Sequence, residues 1–461
     1  MEEQKIPKRI LNALLNSIAA GVVPRTGAPY IAIGRAEEID ALLGDLELIN
    51  EGGSSMRFII GKYGSGKSFL MQLIRSYAVE RGFVTADCDL SPERRFCGGK
   101  GAGLATYREL IKNLASKAAP DGGALTIIIS KWLSELRSEL AASGLEPGSA
   151  QFDVELKARV YSLGRELEGQ VGGFDFARVL TLYYEASSSD SDESEAKRSA
   201  CLRWLRGEFT TKTEARAALG VGDIIGDENW YDYIKLLAVF VRKIGYRGLA
   251  VFVDECVNLY KISNRTAREN NYEKLLSMFN DALGGRAPGL AIILGGTPQF
   301  LEDPRRGLFS YEALRSRLAD GRFANLDYKN ILGPVIRLRR LSDDELLALI
   351  ARITKLHGMA HSWEPRITTQ QQVEFLKTCL ARAGADSMIT PREIIRDYMQ
   401  VLNILLQNPK ATFEEVMGSG VVTLKTAYDG GGIPAEAEFE RETSPGNANP
   451  QKAFSLEDIE L

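Results

Sequence analysis

Residues 58 to 68 read FIIGKYGSGKS, and Gly61, Lys62, Tyr63, Gly64, Ser65, Gly66, Lys67 and Ser68 have the types and spacing of a phosphate-binding loop. Glycines let such a backbone curl with its N–H groups turned inward around a β-phosphate. The lysine carries charge to the β- and γ-oxygens, and the serine hydroxyl ligates Mg²⁺. Phe69 closes the stretch expected to touch the nucleotide. A glycine-rich turn that matches by chance is the bland alternative, and the flanks argue against it. Met56 to Ile60 is the short apolar run of a buried parallel strand, and Ser68 to Arg75 opens a helix whose N-terminus favours anions.

A second group lies far along the chain. Asp254 and Glu255 end the apolar run that begins at Gly248. On a strand beside the P-loop strand, Asp254 is expected to hold Mg²⁺ through water and Ser68, and Glu255 to polarise an attacking water; solvated turn acids are the alternative. Thr297, after the strand Ala291 to Leu294, is placed to orient that water or meet a γ-phosphate, or else belongs to a turn set by Gly295, Gly296 and Pro298. Arg315 and Arg317 could reach a neighbouring subunit's γ-phosphate, though arginines on a helix are commonly surface charge. Arg392 sits in the first turn of a capped helix starting at Thr390, where positive charge opposes the helix dipole and an anion nearby would explain it.

The elements that must position these residues predict an α/β fold: a parallel-sheet P-loop NTPase core with a large helical insertion and a helical C-terminal lid. A helical lead-in spans 1–53, with a short extended piece from Ile31 turning at Gly34 into an acidic-started helix. The core's first part is 54–117, including a strand Phe83 to Asp89; the helical insertion is 118–230; the core resumes over 231–340. The lid is 341–408, opened by Ser342 with Glu345 three residues on, and a loose tail spans 409–461. Within the insertion the acidic serine run Ser187 to Ser194 is too polar to bury surface and predicts a mobile loop, with a phosphosite as a minor alternative. The Gly-, Pro- and Glu-rich end from Gly430 predicts disorder, closing in Ala453 to Leu461, where apolar and acidic residues interleave as in a docking segment or a solvated tail.

Composition agrees with a soluble protein of two or three domains: 461 residues, 44% hydrophobic and 26% charged. A net charge of −4 speaks against a strong free-standing nucleic-acid binder, although a local basic face could still grip phosphate. The polar start Met1 to Lys8 and the lack of an apolar run of about 18 residues predict a cytoplasmic location. Five scattered cysteines have no metal-ligand spacing.

In the order of its parts the chain resembles the AAA+ ATPases near the origin-recognition branch, and more closely the ATP-binding proteins of BREX-type phage-defence systems, the BrxD and BrxC group. The resemblance rests on Gly21 to Pro24, Ile33 to Glu38, the P-loop, Asp89 to Arg95, Leu202 to Glu208, Gly245 to Gly248 before Asp254 and Glu255, Gly295 to Phe300, Arg305 to Tyr311 and Thr390 to Glu393. It implies a Mg²⁺-dependent ATPase, working as a homo-oligomer in a ring and partnered with a helicase or another DNA-acting defence protein. It further implies Ile33, Gly34 and Arg35 as the base-contacting segment, Thr297 as first sensor and Arg392 as second sensor. Two departures stand out: a large insertion separates Ser68 from Asp254, and too little chain follows residue 405 for the winged-helix DNA-binding domain of origin-recognition relatives. DNA contact would then come from the ATPase ring, the insertion or a partner. The alternative function is an ATP-gated scaffold with negligible hydrolysis; a small-molecule kinase is disfavoured by the Asp-Glu pair and the lid arginine.

Overall fold

The computed structural model describes residues 6–99, 101–188, 191–320, 330–382 and 390–419. The chain divides into two units, Met1–Val416 and Met417–Leu461, and the sheet, the insertion and the phosphate-binding loop all belong to the first. The segment from Gly430 to Leu461, with its proposed docking end, lies outside the described residues.

Five strands form one parallel sheet: β1 (Ser55–Ile60), β2 (Val84–Asp89), β3 (Leu249–Asp254), β4 (Leu290–Gly296) and β5 (Val335–Arg337), in the order β2-β3-β4-β1-β5. β1 and β4 are buried along their whole length, as strands covered on both faces must be. Alternate residues supply the two faces. Phe58, Ile60, Val251, Val253 and Ile292 enter one apolar cluster, while Ile59, Phe252, Ile293 and the helix residues Leu42, Leu46, Leu70 and Ile74 form the other.

This order corrects one expectation. The strand carrying Asp254 is not beside the P-loop strand, because β4 lies between them, paired to β1 on one side and β3 on the other. The register nevertheless aligns the carboxyl ends: Ile60 faces Gly296, and Asp89 faces Asp254. In an open parallel sheet this edge is where ligands bind.

Between β2 and β3 the insertion supplies the helices Leu125–Ala142, Ala150–Glu168, Gly173–Ala186, Asp192–Leu205 and Lys212–Leu219. Its core is continuous with one face of the sheet: Trp132 and Phe176 pack edge-on against Phe240, and Trp204 against Tyr233. The acidic serine run is not wholly a loop. Ser191 caps the helix Asp192–Leu205 by accepting from the Ser194 N–H, and Asp192 and Glu193 fill its first turn, where negative charge suits the helix dipole. Near the N-terminus, Ile31, expected to begin an extended piece, instead ends a 3₁₀ turn, Ala28–Ile31, with Pro29 near its start, and the backbone becomes extended only at Ala32. The acidic-started helix is Ala36–Asn50.

Within β1, Arg57 is nearly buried and makes a two-pronged pair with Asp45 at 2.6 and 2.8 Å, while its third nitrogen donates to the carbonyls of Leu332 and Gly333. Arg57→Ala would strand a mostly buried carboxylate and two carbonyls, an expected loss of about 3–5 kcal/mol in denaturant titration.

Candidate functional site

The P-loop joins β1 to the helix Lys67–Glu80. Gly64 has φ +75°, and a side chain there would meet Thr390 Cγ2 at 2.5 Å, so both the turn and the approach of Thr390 require glycine. Lys67 Nζ donates to the carbonyls of Gly61 at 3.0 Å and Lys62 at 3.1 Å, and so lies along the loop. Burial lowers its pKa, opposed by the charges of Asp254 and Glu255. Ser65 is buried with its hydroxyl unpartnered, and Phe69 is half-buried. Tyr63 is 76% exposed at the tip of the loop.

Ser68 Oγ donates to Asp254 Oδ2 at 2.6 Å. The carboxylate reaches across the interposed strand because Gly295 of β4 has no side chain: a Cβ there would sit 2.3 Å from Asp254 Oδ1. A hydroxyl and a carboxylate held together beside this glycine-rich loop are hard oxygen donors of the kind Mg²⁺ takes, so these residues fit that ion. Asp254 Oδ1 also accepts the Glu255 N–H at 2.8 Å. Glu255 itself has φ +56°, a left-handed conformation that costs a non-glycine residue about 1–2 kcal/mol. Its side chain is exposed, yet partial desolvation, then the charges of Asp254 and Asp89, raise its pKa above the usual carboxylate value.

Asp89, which opens one of the segments that carry the family resemblance, ends β2 directly opposite Asp254. Desolvation and the neighbouring Asp254 and Asp87 raise its pKa too. The mark it carries in sequence is an acid at the carboxyl end of a largely buried strand, like Asp254.

A cavity of about 550 Å³ adjoins the loop, bordered by Gly61, Lys62, Ser65, Arg337 and Arg339. A larger one, about 840 Å³, lies within the insertion among Arg137, Phe152 and Tyr184, and no P-loop residue lines it. The former borders the first half of the loop, and neither is lined by Lys67, Ser68, Asp254 or Glu255.

The model of the BREX system ATP-binding protein family BrxC/D matches residues 6–420. The chain belongs to the BrxC/D family. No curated protein matches it. BrxC/D membership takes in every element described above, so the P-loop, the insertion and the helices beyond β5 all fall within the family match. Among the described residues no cluster of His, Cys, Asp and Glu could hold a metal ion by itself, and no helix is long and apolar enough to cross a membrane.

In this BrxC/D chain Thr297 stands at the end of β4, between the P-loop strand and the Asp254 strand, and its hydroxyl accepts from the Phe300 N–H at 3.3 Å as the cap of the short helix Pro298–Glu302. Arg392 lies in the first turn of the helix Pro391–Gln407, whose cap Thr390 touches Gly64, so it stands two residues from the contact with the loop; its stem lies against Gly21. Arg315 and Arg317 lie on the helix Glu312–Leu318. Arg315 is 59% exposed and reaches Glu312 at 4.0 Å, whereas Arg317 donates to Asn280 Oδ1 and the Ala313 carbonyl. Ile33 is half-buried, Gly34 lies against Glu345, and the Arg35 guanidinium donates to the Ser65 carbonyl at 2.8 Å and to the Arg339 carbonyl.

Proposed function

We propose that this chain is an AAA+-type, Mg²⁺-dependent ATPase, converting ATP and water to ADP and phosphate to assemble or remodel a bacterial anti-phage defence complex. It works in the cytoplasm as a homo-oligomer, with a DNA helicase or other DNA-acting protein as partner. The observation that carries this reading is the 2.6 Å contact between Ser68 and Asp254, which joins two motifs far apart in sequence at one point on the sheet edge. The interposed β4 supports it further, since Thr297 then stands between loop and acids as a first sensor must. The helices Asp343–His361, Thr369–Arg382 and Pro391–Gln407 serve as the lid, with Arg392 as second sensor.

In this mechanism the inward N–H groups of residues 61–68 bind the phosphates and Lys67 exchanges its two loop carbonyls for phosphate oxygens. Ser68 and Asp254 would hold Mg²⁺, which when bound would supply positive charge against the phosphate oxygens. Glu255, held off the strand end by its left-handed backbone, takes the proton of the attacking water. Arg315 or Arg317 serves a neighbouring subunit.

Phosphate release by the purified protein, with and without DNA and the products of neighbouring genes, tests the reading. Sustained Mg²⁺-dependent turnover is expected. ATP binding with no turnover under any of these conditions would replace it with the ATP-gated scaffold. Lys67→Ala is expected to weaken Mg-ATP binding more than about tenfold in calorimetry, because a charge-assisted contact to phosphate is lost; unchanged affinity would remove this loop as the site.

A further inference from the structure

We propose that Arg35 is a positioning residue that presets the phosphate-binding loop and ties it to the linker between β5 and the following helix, rather than a contact to the nucleotide base. Three observations carry this. First, the Arg35 side chain is only 9% exposed, and its guanidinium is committed: one nitrogen donates to the Ser65 and Arg339 carbonyls and another faces Glu38 Oε1 at 3.5 Å. Second, its backbone is left-handed at φ +66°, a strained state for a side-chain-bearing residue, held as the cap of the helix Ala36–Asn50. Third, the far end of the contact is itself fastened: Arg339 pairs with Glu345 through two bonds at 2.6 and 2.7 Å, and Glu345 closes the capping box on Ser342 that starts the helix Asp343–His361.

The contact with Ser65 has a geometric consequence. The Ser65–Gly66 peptide is planar and trans, so its C=O and N–H point in opposite directions. A guanidinium that holds the Ser65 carbonyl outward aims the Gly66 N–H to the other side, as a loop that receives a phosphate needs. The same nitrogen holds the Arg339 carbonyl, so the loop and the linker share one rigid fork. A lysine, whose ammonium is a point charge without that planar fork, cannot fix both directions.

The test uses Arg35→Ala and, as the charge-keeping variant, Arg35→Lys in the full chain. Amide hydrogen exchange without nucleotide is expected to rise about tenfold in two segments distant in sequence, residues 61–68 and 338–342, while β1 and β4 stay protected. The kinetic arm rests on the proposed hydrolysis: ATP affinity and turnover fall about tenfold each, while the ATP-to-GTP preference stays within about twofold. A changed ATP-to-GTP preference would restore the base-contact role and overturn the proposal. So would faster exchange confined to residues 34–38, or spread equally through β1 and β4. If the parental protein itself releases no phosphate, the ATPase reading fails, and the exchange experiment still decides the role of Arg35.

Discussion

Glu255→Gln is expected to keep Mg-ATP affinity within about threefold of the parental protein while turnover falls by about 10² to 10⁴, the usual contribution of a positioned general base. The amide matches the carboxylate in shape, and the backbone contact from the Glu255 N–H to Asp254 is untouched, so only the ability to accept a proton is lost. Glu255→Gly separates strain from chemistry. It removes a left-handed penalty of about 1–2 kcal/mol and returns part of it as unfolded-chain entropy, so it should be inactive yet within about 1 kcal/mol of parental stability. Strain of this kind persists where the surroundings hold a residue for use. Parental turnover in the Gln variant, measured at saturating ATP, would take the role of base away from Glu255.

What could be read from the residues alone was what is local. The P-loop, the four longer strands, the Ser342 cap with Glu345 and the capped helix start at Thr390 are written in runs of a few residues, and each lies where spacing put it. The order of the strands is not local. Nothing in the β3 segment says that β4 will come between it and β1, and Gly295 reads as a turn glycine until the neighbouring carboxylate is known to cross it. Composition misjudged the acidic serine run for a related reason. A polar stretch cannot build a core, but Ser191 and its acids need only start a helix whose later residues, Cys201, Trp204 and Leu205, are buried. The Arg35 side chain was hidden in the same way, since its partners Ser65 and Arg339 are distant in sequence and offer only backbone carbonyls, which leave no mark on residue type.

The two arginines of the helix Glu312–Leu318 are expected to divide their work. Arg317 is tied to Asn280 and to its own helix, while Arg315 is exposed and held only at the outer limit of an ion pair. If the subunits form a ring, Arg315 acts in trans on the next subunit's nucleotide, and Arg315→Ala should slow turnover by about three to five powers of ten with binding retained, as loss of an arginine finger does. Arg317→Ala should act mainly through the packing of that helix, and so lower stability more than it slows turnover. Mixing Arg315→Ala with Lys67→Ala provides the decisive arrangement, because a mixed interface pairs an intact P-loop from one subunit with an intact Arg315 from the other. Partial recovery of phosphate release in the mixture, absent from either variant alone, is the expected result. Parental turnover in the Arg315 variant would reject the finger, and a dead variant that co-assembles but recovers nothing would move Arg315 from the subunit interface to its own chain.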